Sequence, residues 1–212
     1  AIVAEGTRGR IYVSPTQDAE RVAASEKPKW WPEASLPKDA RAFTPILYGM
    51  MNHRDLFSNR QLVALTTFSD LVAEAALRAS ADALRAGFST DETGLDAGGE
   101  GARAYGDAVA TYLAFAVDKV ADYNSSLVVW SSTRDQAKTT FGRQALPMVW
   151  DYAELNVFAG AAGDLSVSLA GICRSVDAAC DRPGQATQSD AQSQVVSSGK
   201  VVSTDPPYYD NI

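Results

Sequence analysis

Four consecutive residues near the C-terminus combine groups that can activate a poorly nucleophilic amine. They are Asp205, Pro206, Pro207 and Tyr208. A carboxylate and a backbone carbonyl that both accept hydrogen bonds from an amine shift electron density onto its nitrogen and orient the lone pair. Two prolines in a row stiffen the loop that carries such a carbonyl. An aromatic ring next to it can stack on a planar heterocycle.

The tetrapeptide is part of a longer pattern. The run 205–212, Asp-Pro-Pro-Tyr-Tyr-Asp-Asn-Ile, resembles a family of large prokaryotic adenine-specific DNA methyltransferases, in which the tetrapeptide continues as Tyr-Asp-Asn. Residues 48–50, 55–65, 118–127 and 141–154 are similar to further blocks of that family. These blocks resemble a helical region inserted between the methyl-donor motif and the catalytic motif, with either target recognition or packing as its role.

The resemblance implies a chemistry and a set of partners. Asp205 and the Pro206 carbonyl would receive the exocyclic amine of adenine, Pro207 would stiffen the loop, and Tyr208 would stack on the flipped base. The methyl group would come from S-adenosylmethionine, and DNA would be bound by the full-length protein. The family's glycine-rich donor loop should lie before residue 1, so we expect a fragment with an incomplete methyltransferase fold that is inactive by itself and does not bind the donor tightly.

One internal segment imitates a donor loop. Residues 158–163 read Phe-Ala-Gly-Ala-Ala-Gly, but their glycine spacing differs from the family's and a helical pattern precedes them. Only about 45 residues would separate this segment from Asp205, which is short for the strand and helix units of such a fold. We therefore predict a plain loop between two helices.

A basic group around Phe141 offers a second, weaker site. Arg134, Lys138 and Arg143 can contact phosphates or a splayed base. The alternative interpretation is a solvated helix face on which the arginines cap nearby carbonyls.

The composition limits the classes of function. The chain of 212 residues has a formal net charge of -7, which argues against strong independent DNA binding. One histidine, His53, and two cysteines cannot build a zinc site, and Cys173 and Cys180 lie too far apart on one helix for a bridge, so we expect buried thiols in a reducing cytoplasm. No apolar run reaches membrane-spanning length and no secretion signal is visible, which predicts a cytoplasmic protein with no membrane partner.

The elements that must position these residues are mainly helical. A capping box at Ser58 and Gln61 begins a long helix that ends near Gly87, and a second helix covers about 102–123 and pairs antiparallel with the first. Further helices are predicted at about 144–155 and 164–180. Short β segments are predicted at 9–13, 195–196 and 201–202.

The sequence therefore predicts a mainly α fold. A helical, bundle-like region over residues 1–183 has a short β segment at its N-terminus, and a β-rich segment over 184–212 carries the catalytic motif. Two functions remain open. One is a piece of a DNA adenine methyltransferase, and the other is a non-catalytic helical module for DNA recognition or protein interaction.

Overall fold

The computed structural model describes residues 2–179 and 188–205, and the chain divides into two units, Ala1–Asp177 and Ala178–Ile212. Every regular helix and strand among the described residues lies in the first unit. In chain order these are β1 (Ile2–Gly6), β2 (Gly9–Val13), α1 (Gln17–Ser25), α2 (Asn59–Arg85), α3 (Ala102–Tyr123), β3 (Trp130–Ser131), β4 (Gln136–Ala137) and α4 (Leu165–Asp177). The predicted mainly helical class is confirmed.

Two long helices, α2 and α3, form a helical hairpin over residues 59–123. The predicted capping box is present, because Ser58 Oγ accepts from the Gln61 amide while Gln61 Oε1 accepts from the Ser58 amide. Gly87 adopts the predicted left-handed conformation, with φ of 92°, just after α2. The helices run antiparallel, since the start of α3 approaches the end of α2 at Gly106, where an added Cβ would lie 2.7 Å from the Ala76 carbonyl oxygen.

Helix α4 confirms the fourth predicted helix over most of its length and packs against α3. An apolar groove lies where α2, α3 and α4 meet. It is lined by Phe68, Val72, Leu113, Val117, Leu165 and Leu169. Cys173 is exposed on this helix, so the expectation of a buried thiol is wrong for it. Cys180 lies outside the described residues.

The segments before α2 and after α3 form a second region, the loop layer, which comprises residues 27–58 and 124–154. Its core is the buried cluster Leu36, Leu56, Leu127 and Leu146. The helix predicted at 144–155 is absent. Instead, the Leu146 amide donates to the Ala42 carbonyl at 2.7 Å, and the Leu146 carbonyl accepts from the Thr44 amide at 3.1 Å. Both backbone groups that a helix would use are therefore committed to a distant segment.

The predicted N-terminal strand is confirmed, and the strands predicted near the C-terminus are wrong. Strand β2 is at the predicted position and pairs antiparallel with β1, with Ile2 opposite Val13. The valine pairs 195–196 and 201–202 form no strand, and residues 188–205 contain only turns and irregular chain. A strand needs a neighbour for its backbone groups, and no described segment of the second unit supplies one. The β3–β4 hairpin and α1, capped by Thr16, were not predicted.

Candidate functional site

The tetrapeptide 205–208, which the sequence predicts to be catalytic, lies at the edge of what the structure describes. Asp205 is exposed and belongs to irregular chain in the second unit. Pro206, Pro207 and Tyr208 lie outside the described residues. The pairing of the Asp205 carboxylate with the Pro206 carbonyl around an amine therefore stays a prediction.

The family-like blocks of the first unit meet at one place, which begins at the carbonyl of Leu56. This oxygen accepts from the Ser126 amide at 2.7 Å and from Ser126 Oγ at 2.9 Å. Leu56 is fully buried and packs in the same cluster as Leu127. The block 55–65 is thus bonded directly to the block 118–127, although about seventy residues separate them.

A carboxylate joins the third block to the start of α2. Glu154 Oε2 accepts from Arg60 at 2.9 Å and lies 3.5 Å from Ser58 Oγ. The position suits a carboxylate, because the unpaired amides at a helix N-terminus carry partial positive charge. The pKa of the Tyr152 phenol is raised, mainly by burial and to a smaller extent by the negative charge of Glu154. The positive charge of Arg60 acts in the opposite direction. The block 141–154 is therefore anchored to the block 55–65.

Asp122 connects the block 118–127 to the block 141–154. Its Oδ1 accepts from the Phe141 amide at 2.9 Å, and its carbonyl accepts from the Thr140 amide at 2.8 Å. The hydroxyls of Ser125 and Thr140 pair at 2.8 Å in the buried interior. We call the joined blocks 55–65, 118–127 and 141–154 the junction. Its polar groups are largely used in holding the segments together.

The three basic residues predicted around Phe141 lie along one stretch of the loop layer. Arg134 is in the turn between β3 and β4, Lys138 follows β4 with its amide donating to the Val129 carbonyl at 2.9 Å, and Arg143 lies in bent chain beyond Phe141. All three are exposed, and none makes an ion pair with a residue that the structure describes. Their side chains are therefore available to an anionic partner.

The donor-loop imitation at 158–163 is a loop, as predicted, but irregular chain rather than a helix precedes it. The carboxylate of Asp164 accepts from the Gly160 amide at 2.6 Å and from Ser166, which begins the first turn of α4. Hydrogen bonds, that from the Ser166 hydroxyl above all, lower the pKa of Asp164. At Gly163 an added Cβ would lie 2.8 Å from Leu155 Cδ1.

This arrangement does not fit a methyl-donor site. The Gly160 amide is already bound to Asp164, and the backbone at Gly163 is covered by protein atoms rather than open to a ligand. A donor loop needs free amides and bare glycine backbone facing its ligand. Residues 158–163 instead hold the start of α4 in place.

Charge is distributed unevenly between the two regions of the first unit. The helical hairpin, residues 59–123, contains five Lys and Arg against ten Asp and Glu, whereas the loop layer contains eight against six. Several acidic groups of the loop layer are occupied: Asp55 accepts from two backbone amides, Asp135 pairs with Arg10 at 3.3 Å, and Glu154 pairs with Arg60. The loop layer therefore carries a formal excess of positive charge, whereas the helical hairpin carries an excess of negative charge.

The sequence patterns missed one exposed aromatic pair in the loop layer. Tyr48 and Trp150 meet edge to face with ring centroids 5.0 Å apart, although 102 residues separate them. Their only sequence signal was that both fall in family-like blocks, 48–50 and 141–154. Spacing along the chain gives no hint that these rings touch.

Across residues 2–179 and 188–205, no helix is both long and apolar enough to cross a membrane, and no three His, Cys, Asp or Glu side chains cluster as metal ligands would. Comparisons with protein families, with curated proteins and with solved structures find no match to this chain.

Proposed function

We propose that this chain carries the catalytic motif of an S-adenosylmethionine-dependent, adenine-specific DNA methyltransferase. In this proposal the Asp205 side chain and the Pro206 carbonyl each accept a hydrogen bond from the adenine amine, which shifts electron density onto its nitrogen and orients the lone pair toward the methyl donor. Pro207 restricts the loop, and Tyr208 stacks on the base. The exocyclic nitrogen forms a bond to the methyl carbon while the bond from that carbon to the sulfonium sulfur breaks, S-adenosylhomocysteine leaves, and the nitrogen loses one proton to solvent.

The observation that best supports this proposal is the junction. The blocks that resemble the methyltransferase family are far apart in the sequence, yet 55–65, 118–127 and 141–154 meet through the hydrogen bonds of Leu56, Asp122 and Glu154. A resemblance that arose by chance would have no reason to fall on segments that share one packed centre. These three blocks therefore form one packed centre within the first unit.

The contacts of the junction favour packing over target recognition as the role of these blocks. The Leu56 carbonyl, the Asp122 carboxylate and the Ser125 hydroxyl all bond within the protein. Groups that read DNA must be free to bond to it. We infer that the junction supports the segments around it, and that contact with DNA falls to the exposed cations of the loop layer.

The experiment uses the complete gene product in a bacterial host that lacks its own adenine methylation. Mass spectrometry of digested genomic DNA measures N6-methyladenine for the wild type and for Asp205→Ala. Because the variant loses one of two acceptors that activate the amine, we expect methylation to fall by about 100-fold or more. Asp205→Asn retains an acceptor oxygen and should keep part of the activity.

The matched control is Asp177→Ala, which removes another exposed carboxylate at the end of α4 and should leave methylation unchanged. Wild-type protein that produces no methylated adenine would contradict the proposal. So would an Asp205→Ala protein as active as the wild type. Absence of methylation by the wild type would make the non-catalytic DNA-recognition module, which the free cations of the loop layer favour, the leading explanation, whereas full activity of Asp205→Ala would show that Asp205 does not activate the amine.

A further inference from the structure

Two segments of the loop layer run side by side in the same direction. Phe43 and Leu146 form a parallel bridge, held by the bonds of Leu146 to Ala42 and Thr44. In a parallel pair, residues that precede the bridge on both segments lie at one end, and residues that follow it lie at the other. Arg41 and Arg143 precede this isolated bridge by two and three residues on their segments, whereas Tyr48 and Trp150 follow it and their rings are in contact.

The residues that follow the bridge present aromatic surface to solvent. Tyr48 is 54% exposed and Trp150 is 72% exposed, although the two rings contact each other. Leu47 and Met51, close to Tyr48 in the chain, are also exposed. Two exposed rings in contact offer aromatic faces on which a planar partner can stack.

The residues that precede the bridge present uncompensated positive charge. Arg41 and Arg143 are exposed, and neither makes an ion pair with any residue in the described part of the chain. The nearby carboxylate of Asp39 accepts the backbone amide of Arg41 at 2.9 Å. Guanidinium groups bind phosphate through paired hydrogen bonds, which makes arginine better suited than lysine to this contact.

We propose that Arg41, Arg143, Tyr48 and Trp150 form a binding strip for an unpaired polynucleotide strand. The arginines hold backbone phosphates and Trp150 stacks on a base, while the edge of Tyr48 keeps the indole in place. This combination of cations and aromatic faces is how single-stranded nucleic acid is held without sequence preference. A duplex keeps its bases stacked inward and cannot offer a base face to Trp150.

The length of the strip limits what it can hold. From Arg143 to Trp150 an extended chain reaches at most about 25 Å, which accommodates only a few nucleotides. The strip lies outside residues 205–208 and requires no methyl transfer. The proposal therefore goes beyond the methyltransferase assignment and does not depend on it.

The test is fluorescence anisotropy of this chain with three labelled probes: a twelve-nucleotide thymidine strand, a twelve-nucleotide uridine strand and a twelve-base-pair DNA duplex. We expect binding to one or both single strands and weaker binding to the duplex. Preference between the two single strands identifies DNA or RNA as the source. No single-strand binding at low salt, or tighter binding to the duplex, would overturn the proposal.

Variants assign the binding to the strip. Trp150→Ala should weaken single-strand binding by about tenfold, because one stacked base is lost, and Trp150→Phe should restore part of it. Phe115→Ala is the matched control, since Phe115 is a half-exposed ring that contacts Tyr112 on α3 in the acidic helical hairpin. Equal affinity of the wild type and Trp150→Ala, with unchanged circular dichroism, would show that Trp150 does not take part in binding.

Charge variants test the phosphate contacts. A plot of log affinity against log salt has a negative slope. In the double variant Arg41→Gln with Arg143→Gln this slope should become shallower by roughly 1.4, because two phosphate contacts to a single strand are lost. Arg78→Gln, in the helical hairpin, removes a charge elsewhere and should leave the slope unchanged. Asp151→Asn removes the exposed carboxylate next to Trp150 and should tighten binding. A slope that does not change in the double variant would contradict the arginine contacts.

Discussion

The helical hairpin and the loop layer differ in the range of the backbone hydrogen bonds that hold them together. In the helical hairpin most backbone bonds are local, and its caps can be read directly from Ser58, Gln61 and Gly87. In the loop layer several backbone bonds join distant segments, and those between Leu146 and residues 42 and 44 span about a hundred positions. The hairpin is acidic and the loop layer carries the free cations. Regular structure thus provides the support, and the irregular region provides the surface available for binding.

The aromatic residues allow the two regions to be observed separately. All four tryptophans, Trp30, Trp31, Trp130 and Trp150, lie in the loop layer, whereas α2 and α3 supply most of the helix. Tryptophan fluorescence therefore reports on the loop layer, and far-ultraviolet circular dichroism reports chiefly on the helical hairpin. The predictions below use this division.

The largest effect is expected from Leu56→Ala. Leu56 is fully buried in the loop-layer core, and its carbonyl binds Ser126, so truncation should lower the free energy of unfolding by about 2–5 kcal/mol. Because α2 begins three residues later, we expect fluorescence and circular dichroism to shift together in urea titrations. Leu77→Ala, at a 74% exposed position of α2, should change stability by less than about 0.5 kcal/mol. Separate transitions for the two signals would show that the regions unfold independently.

A glycine pair tests the packing inside the helical hairpin. Gly106→Ala places a Cβ 2.7 Å from the Ala76 carbonyl oxygen and also against Ser80 Oγ, so the helices must separate, at a cost of about 1–3 kcal/mol. Gly171→Ala in α4 meets nothing nearer than Arg174 at 3.8 Å and should stabilise the chain by about 0.5–1 kcal/mol. The opposite signs can be measured by thermal unfolding. A stabilising Gly106→Ala would mean that α2 and α3 are not this close.

These two regions also show how far sequence reasoning reaches. Helices α2 and α3 were predicted because their caps and apolar spacing are local signals. The segment 144–155 has helical spacing and a proline near its start, yet it is not helical, because the bonds of Leu146 to a segment a hundred residues away override the local preference. The valine pairs 195–196 and 201–202 failed for the related reason that a strand depends on a neighbour, which no local pattern reveals.

The candidate sites follow the same rule. The chemical types in Asp205, Pro206, Pro207 and Tyr208 can be recognised from the sequence, because such a motif is contiguous. The junction and the contact of Tyr48 with Trp150 depend on the three-dimensional path of the loop layer. Their proximity can be read only from the three-dimensional structure.

An intermediate effect is expected at Asp164, where α4 begins. Its pKa is lowered from the ordinary value of 3.8, so its stabilising contribution is complete above that pH and is lost as the pH falls through the lower, folded-state pKa. Asp164→Ala should cost about 1 kcal/mol at pH 7, because the bonds to Gly160 and Ser166 are lost. Asp164→Asn should flatten the dependence of unfolding free energy on pH below about 4. An unchanged acid limb in Asp164→Asn would assign that limb to other carboxylates.

The smallest effect concerns the ion pair that connects the two regions. Arg60 lies in the first turn of α2 and Glu154 at the end of the loop layer, 2.9 Å apart, with 46% and 22% of the side chains exposed. A double-mutant cycle of Arg60→Gln and Glu154→Gln should give a coupling of about 0.5–1 kcal/mol, reduced by salt, because the pair is only partly shielded from water. The matched pair Arg78 and Glu74 lies within α2 and is more exposed, so its coupling should be smaller. If the two couplings are equal, Glu154 does not tie the loop layer to the helical hairpin through its charge, and the hydrogen bonds that Asp122 accepts from Thr140 and Phe141 carry that connection.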